Sequence, residues 1–150
     1  MRREPSIKST VEVSYLPQHR DDPITPESAD ELVAVIDDMV SDFDLDHSYM
    51  MIILTSAEDK VAVLNIGILA DKGVGSMEFQ GDEGGYYSKG VEDAGKPVFN
   101  WDFGNPRFFP GDSRIEIESI KQALVQFYET GGSRPENVDW QEWSDETVDW

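Results

Sequence analysis

The chain has 150 residues, no cysteine, and 31 acidic against 12 basic residues, which gives a formal net charge of −19. This charge excludes nucleic acid and anionic membranes as partners, because binding to either requires cations that neutralise phosphate, and it favours a basic protein surface. The length suits one domain spanning residues 1–150, and the lack of cysteine excludes disulfides and zinc–thiolate sites and fits a reducing cytoplasm, the expected location.

The N-terminal third of the chain predicts a strand followed by an amphipathic helix. Residues 8–16 alternate between polar and apolar side chains, as in a half-buried strand. Thr25 and Pro26 match an N-cap and a first helical residue, and apolar residues then recur at helical spacing. The predicted buried residues are Val11, Val13 and Tyr15 of the strand and Leu32, Val35, Ile36, Met39 and Phe43 of the helix.

The middle of the chain predicts sequential antiparallel strands. The apolar runs YMMIILT and KVAVLNIGILA are joined by a short polar turn, so they predict a hairpin of central strands covered on both faces. The segments VGSMEFQ, YYSKG and PVFNW continue the series between glycine-rich turns. The rest of residues 93–111 is interrupted by Gly and Pro, which predicts a long structured loop.

The C-terminal region predicts a short strand, SRIEI, and a second helix. Ser119 and Gln122 match a capping box at the helix start, and Gly131 ends the helix. The predicted inner face of this helix consists of Ile120, Ala123, Leu124, Phe127 and Tyr128. The acidic sequence that follows Trp140 predicts a flexible tail from about residue 141 to 150.

The order of these elements predicts the fold class. Sequential strands with tight turns form an antiparallel sheet, and two amphipathic helices must bury their apolar stripes against it. We therefore expect an α+β fold in which an antiparallel β-sheet meander carries both helices on one face, in a single domain.

Catalytic and metal-binding patterns are weak in this sequence. His19 and His47 lie outside any nucleophile motif. Asp42, Asp44 and Asp46 are spaced like the first ligands of a calcium loop, but the glycine and the twelfth-position Glu of that loop are absent. We predict that the protein is not an enzyme and has no metal or cofactor. The remaining enzymatic alternative is a carboxylate pair in an enclosed pocket.

The segment from Asp82 to Asp112 is the candidate contact region. It combines acids with aromatic residues, as protein interfaces do when aromatic anchors are ringed by polar groups. The alternative is that these aromatic side chains close the open end of the sheet and are buried, and the acidity has a second explanation in solubility. The candidate partner-binding residues are Asp82, Glu83, Tyr86, Tyr87, Glu92, Asp93, Trp101, Asp102 and Asp112.

The C-terminal helix ALVQFYETG is followed by SRP and then NVDW. This order resembles immunity protein family one of bacterial polymorphic toxin systems, whose members end in a helix, a Thr-Gly, an Arg-Pro and a Val-x-Trp. The matching positions are Thr130, Gly131, Arg134, Pro135, Val138 and Trp140. The upstream strands and the segments GYYSKG and PVFNWDFGNPRFFP are also similar, so the resemblance covers about residues 49–140. The extra residue in TGGSRP is a departure that lengthens the turn.

The resemblance implies an immunity protein: a small cytoplasmic protein that binds and inhibits the catalytic domain of a secreted toxin, often a nucleic-acid cytosine deaminase. We expect a 1:1 complex in which the active site or basic substrate groove of the toxin is occluded. Gly131, Arg134, Pro135 and Trp140 form a structural signature, with Arg134 paired to a carboxylate and Trp140 packed under the last helix. The alternative is an acidic module that mimics nucleic acid for a protein partner other than a toxin.

Overall fold

The computed structural model of the protein describes residues 10–42, 49–57, 60–69, 72–81, 84–90, 98–102 and 105–142. These residues form a nine-stranded sheet, two α-helices and a short 3₁₀ helix. In chain order the elements are β1 Thr10–Ser14, the 3₁₀ helix Pro17–Arg20, α1 Ala29–Asp42, β2 Tyr49–Ala57, β3 Lys60–Leu69, β4 Val74–Gly81, β5 Gly84–Ser88, β6 Val98–Asp102, β7 Asn105–Phe109, β8 Ile115–Glu116, α2 Ile117–Glu129 and β9 Trp140–Glu142.

The sheet follows the predicted meander in its centre. The strand order is β7-β6-β2-β3-β4-β5-β9, with β1 also pairing with β2 and β8 with β4. These pairings are antiparallel except for β2 with β6, which meet in parallel at Tyr49 and Trp101. The fold is therefore α+β with a mostly antiparallel sheet, as the sequence predicts.

Both helices bury their apolar stripes against one face of the sheet. The main core joins side chains of β1, β3 and β4 to the two helices. The predicted residues Val11, Val13, Tyr15, Leu32, Val35, Ile36, Met39, Ile120, Ala123, Leu124 and Phe127 are all buried in it, and Tyr128 is partly buried against it. Phe43 lies outside the described residues. Burial of the two helical stripes is confirmed, and the helical spacing of their apolar residues is what places them on one side.

The second face of the sheet is covered by the β6–β7 hairpin. The Tyr87 ring of β5 packs against Phe109 of β7, with ring centres 5.2 Å apart. At Gly67 of β3, a Cβ atom would overlap the side-chain amide of Asn100, so the close approach of the hairpin requires glycine there. The central strands are thus covered on both faces, as their apolar sequence predicts.

The starts of both helices differ from the prediction. Helix α1 begins at Ala29 rather than after Thr25, because Ser28 provides the cap: its Oγ accepts a 3.1 Å hydrogen bond from the Glu31 amide. Helix α2 begins at Ile117, before the predicted Ser119 cap. The Ile117 amide donates a 3.1 Å hydrogen bond to the Gly73 carbonyl, so a tertiary contact starts this helix.

Two strands are absent from the sequence prediction. Residues 105–109 form β7 where a loop is expected, and Pro106 fits there because β7 is an edge strand, where a missing amide donor is tolerated. Gln141 and Glu142, the first residues of the expected tail, pair with Tyr87 and Tyr86 in β9. The expected tail therefore starts no earlier than residue 143, and residues 143–150 lie outside the described part of the chain.

Candidate functional site

The candidate contact residues fall into three groups in the structure. Asp82, Glu83, Glu92 and Asp93 lie outside the described residues. Trp101 and Asp102 belong to β6, where the backbone is described. Tyr86, Tyr87 and Asp112 are described with their side chains.

Tyr86 and Tyr87 point to opposite faces of the sheet because they are consecutive residues of β5. Tyr87 is 4% exposed and lies under the β6–β7 hairpin. This burial agrees with the alternative that the aromatic side chain closes the sheet, and it leaves little of the Tyr87 ring exposed for a partner. Tyr86 is half-buried on the helix side, where it packs against the main core. The two tyrosines therefore do not form one aromatic patch.

Asp112 holds together two neighbouring strands of the sheet edge. Its carboxylate accepts 2.9 Å hydrogen bonds from Lys89, which follows β5, and from the Gln141 amide of β9. Partial burial acts to raise the pKa of Asp112, but the hydrogen bonds from Gln141 and Lys89 and the Lys89 charge outweigh it, and the pKa lies below its ordinary value. The carboxylate thus stays ionised while stabilising the edge.

The signature residue Gly131 ends α2 in a Schellman motif. Its φ of 73° lies in the left-handed region, which glycine adopts without strain. The Gly131 amide donates to the Tyr128 carbonyl at 3.3 Å and the Gly132 amide to the Phe127 carbonyl at 2.9 Å. The chain therefore reverses at this point and returns along α2, where Glu136 and Asn137 hydrogen-bond to Gln126.

The other signature residues join this returning segment to the sheet. The Trp140 indole donates a 2.8 Å hydrogen bond to the Pro135 carbonyl, and its ring centre lies 6.2 Å from that of Phe79 in β4. Arg134 lies over the Tyr86 ring. The expected carboxylate partner of Arg134 is absent among the described residues. The signature is therefore a packing unit, with its aromatic rings on the helix side of the sheet.

A buried polar cluster lies on the opposite face. Glu78 of β4 is completely buried, and its Oε1 accepts hydrogen bonds from Arg107 of β7 at 2.7 Å and from Asn65 of β3 at 2.8 Å. A buried charge is tolerated when it is paired and hydrogen-bonded. The ion pair therefore ties the β6–β7 hairpin to the centre of the sheet.

His19 has a structural place in the fold. Its Nδ1 accepts hydrogen bonds from the backbone amides of Tyr15 and Leu16, both at 3.1 Å, and its ring meets the Tyr15 ring edge-on. The described residues contain no group of three or more His, Cys, Asp or Glu side chains that could hold a metal ion. His47 and the sequence resembling a calcium loop after Asp42 lie outside the described residues.

The outer faces of the two helices carry exposed carboxylates, and we call this surface the acidic helix face. Lys121 is the sole Lys or Arg within α1 and α2, and its ammonium lies 3.6 Å from Asp37 and 3.8 Å from Glu118. The exposed carboxylates of this face belong to Asp30, Glu31, Asp37, Asp38, Glu118 and Glu129. The sequence already indicates that Glu and Asp fill the polar side of the first helix, but the candidate contact residues were sought elsewhere.

The fold and this surface define the class: an α+β protein with a helical layer whose outer side carries exposed carboxylates. The particular family follows from comparison with known proteins. The model of the family Immunity protein Imm1 matches residues 20–142, most of the chain, and the protein belongs to this family. The resemblance to immunity protein family one is confirmed.

Membership of the family indicates an immunity protein that acts against a toxin, as a non-enzymatic inhibitor with the toxin as its partner. No curated protein matches the chain. Among the described residues, no helix is long and apolar enough to cross a bilayer.

Proposed function

We propose that the protein inhibits the catalytic domain of a nucleic-acid cytosine deaminase toxin by covering its active site or its basic substrate groove in a 1:1 complex. The single observation that carries this proposal is the acidic helix face. A protein that acts on DNA or RNA must present cations to phosphate, so its substrate groove is basic. An inhibitor whose outer layer carries closely spaced carboxylates competes with the phosphates for those cations.

The position of Glu129 on the acidic helix face supports a role outside the fold, whereas Asp30, Glu31 and Glu118 lie in first helical turns, where acids complement the helix dipole. Carboxylates near the C-terminus of a helix oppose its dipole and cost stability. Neither described helix has a basic residue in its last turn, and Glu129 is the last residue of α2 with its side chain exposed. A basic partner accounts for the charge of Glu129, which does not stabilise the helix that carries it.

The electrostatics also suit the task of an immunity protein. Attraction between oppositely charged surfaces raises the association rate to about 10⁸ M⁻¹s⁻¹ at low salt, well above that of neutral partners. A toxin that damages nucleic acid must be captured quickly after it appears. We expect a dissociation constant on the order of nanomolar or below that rises with salt concentration as exposed charges are screened.

The segment from Asp82 to Asp112 remains a second proposed contact region. Its composition supports this for Asp82, Glu83, Glu92, Asp93, Trp101 and Asp102. Tyr86 and Asp112 are engaged within the protein, by Arg134 and by Lys89 with Gln141, and contribute at most their exposed edges.

The test compares two triple variants that change the net charge equally. The variant Asp37→Asn, Asp38→Asn, Glu129→Gln removes charge from the acidic helix face. The control Asp21→Asn, Asp22→Asn, Glu136→Gln removes exposed charge outside the helices. We expect the first to weaken inhibition of the purified toxin in a deamination assay by at least tenfold more than the control. If the two variants weaken inhibition equally, inhibition depends on the net charge of the protein and not on the acidic helix face.

Two other outcomes would end the proposal itself. Full deaminase activity of the toxin with a stoichiometric excess of the wild-type protein would exclude inhibition. Binding to a basic protein unrelated to toxins, without any effect on a toxin, would favour the alternative of an acidic module that mimics nucleic acid.

A further inference from the structure

A pocket of about 670 Å³ opens where the ends of several elements meet: the start of β4, the end of β5, the junction of β8 with α2, and the segment before β9. Three of its lining residues are basic, namely Lys72, Lys89 and Arg114, and three others, Val74, Ile115 and Val138, are apolar. A group of cations in one concavity is unexpected in a protein with 12 basic residues and a net charge of −19.

Tertiary contacts bring these cations together from distant parts of the sequence. The Lys89 amide donates a 2.8 Å hydrogen bond to the Asp139 carbonyl, and the Gly90 amide donates one of 2.6 Å to the Asp112 carbonyl. A Cβ atom at Gly90 would overlap the Arg114 carbonyl oxygen. Glycine therefore allows the end of β5 to lie directly against the segment that carries Arg114, and the two basic side chains share the pocket.

Two of the three cations that line this pocket, Lys72 and Arg114, are not paired with a neighbouring carboxylate in the part of the chain that the structure describes. Lys89 is engaged by Asp112 at 2.9 Å. Glu116 and Asp139 also line the pocket, but neither is within ion-pair distance of Arg114 or Lys72, and among the described residues these two cations have no hydrogen bond or ion pair. Arg114 is half-buried, and this burial lowers the pKa of its guanidinium by desolvation.

A half-buried guanidinium without a partner is a binding group for an oxyanion. Arginine presents its N–H donors in a planar fork that matches both oxygens of a carboxylate, and such charge-assisted pairs are among the strongest hydrogen bonds in proteins. The apolar side chains beside it provide a surface for the methylene groups that carry the carboxylate. The pocket therefore combines cations with a few apolar side chains, a lining that suits a charged anchor residue of a partner protein.

We propose that this pocket receives an Asp or Glu side chain of the toxin's catalytic domain. The inference rests on the proposed function and names a specific contact within it. Free small anions are repelled by the net charge of −19. A carboxylate carried by a mainly basic protein is brought to the pocket by the attraction between the two proteins. The pocket thereby discriminates among basic partners, because one without an acid at this point leaves Arg114 buried and unpaired.

The pocket contact and long-range attraction predict opposite changes in binding affinity for one variant, and the test uses this difference. The variant Arg114→Gln makes the protein more negative, so attraction to a basic toxin alone predicts equal or tighter binding. Loss of the pocket contact predicts weaker binding, by about 30-fold or more in dissociation constant, through a faster dissociation rate. Lys72→Gln, in the same pocket, should change binding in the same direction by a smaller factor because Lys72 is more exposed.

Lys121→Gln is the matched control. It removes the same charge, but Lys121 lies on the acidic helix face next to Asp37 and Glu118. We expect tighter binding of the toxin domain, because Asp37 and Glu118 lose their cation on the surface that is proposed to meet the toxin, so the two equal charge changes should move the affinity in opposite directions. Arg114→Gln should not lower the melting temperature, since Arg114 has no partner among the described residues, so a loss of affinity is not a loss of fold.

The outcomes separate the two proposals. A wild-type protein that does not bind the toxin domain contradicts the proposed function and the pocket with it. A wild-type protein that binds, with an Arg114→Gln variant that binds as tightly or more tightly, contradicts the pocket alone. Saturable binding of acetate or inorganic phosphate to the isolated wild-type protein at millimolar concentration, lost in Arg114→Gln, would also overturn the assignment to a toxin side chain. We expect no such binding.

Discussion

The guanidinium carbon of Arg134 lies 4.1 Å from the centre of the Tyr86 ring, which joins the C-terminal signature of the family to strand β5. Behind this pair, the Tyr86 ring packs near Phe79, and Phe79 near Trp140, on adjacent strands of the same sheet face. The Trp140 indole returns a hydrogen bond to the Pro135 carbonyl, one residue after Arg134. The Arg-Pro and Val-x-Trp parts of the signature are therefore two ends of one closed packing unit.

Replacement of Arg134 by methionine should lower the free energy of unfolding by about 1 kcal/mol, because the cation–π contact with Tyr86 is lost while the apolar stem is kept. Arg134→Lys keeps the charge and should lose less. Chemical denaturation of the three proteins measures this. The difference in unfolding free energy should persist in 1 M salt. If Arg134 acted through an ion pair with a carboxylate, salt would screen the pair and the difference would disappear.

Loss of the Arg107 charge should be more damaging. In Arg107→Met, the Glu78 carboxylate remains completely buried without a cation, and we expect a loss of about 3 kcal/mol, at the low end for a broken buried pair because Arg107 is 33% exposed. The double variant Glu78→Gln, Arg107→Met keeps an oxygen that accepts from Asn65 and carries no charge. This double variant should recover most of the lost stability. If it is as unstable as Arg107→Met, the loss comes from packing and not from an unpaired buried charge.

The Asp112 carboxylate should stabilise the fold in a defined pH range. In the folded protein the pKa of Asp112 lies below its ordinary value of about 3.9. The ionised carboxylate therefore stabilises the fold at any pH above about 3.9. This stabilisation is lost as the pH falls through the lower pKa of the folded state. Asp112→Asn should therefore lower stability by about 1 kcal/mol at pH 7. Unfolding curves from pH 7 to pH 2 should show this difference shrinking below about pH 4. A difference that stays constant would mean that the charge of Asp112 is not involved.

Glu129 offers a test of stability against function. Glu129→Gln removes a negative charge from the last residue of α2, where it opposes the helix dipole, and should raise stability by about 0.3–1 kcal/mol. The same change should weaken toxin binding, since it removes a carboxylate from the acidic helix face. Thermal unfolding and a binding titration of one protein sample give both quantities. A variant that is both more stable and a better inhibitor would contradict the role assigned to this charge.

The sequence predicts the fold well where local periodicity is strong. The stripes of α1 and α2, the β2–β3 hairpin and the glycine end of α2 are confirmed, because each depends on residues close together in the chain. The prediction is weaker where a distant contact decides the outcome. Helix α2 starts three residues earlier than a Ser119 cap predicts because the Ile117 amide reaches Gly73, and β9 forms because Trp140 to Glu142 pair with β5.

The candidate contact residues show the same limit. Composition alone grouped Tyr86 and Tyr87 as one aromatic pair, and consecutive positions in a strand send them to opposite faces. Lys72, Lys89 and Arg114 carry no signal in the sequence, since nothing in their spacing indicates a shared pocket. A count of charges per helix could have indicated the acidic helix face.

By itself, the sequence determined the net charge of −19, the apolar stripes of the helices, the central series of antiparallel strands and the family signature, since each is a property of composition or of short-range spacing. The tertiary structure decided which carboxylates share a surface, which aromatic rings are buried, and where three basic side chains meet. These depend on pairing register and on glycines such as Gly67 and Gly90 that allow close approach. Such contacts join residues far apart in the chain, and their energies exist only when the sheet is assembled.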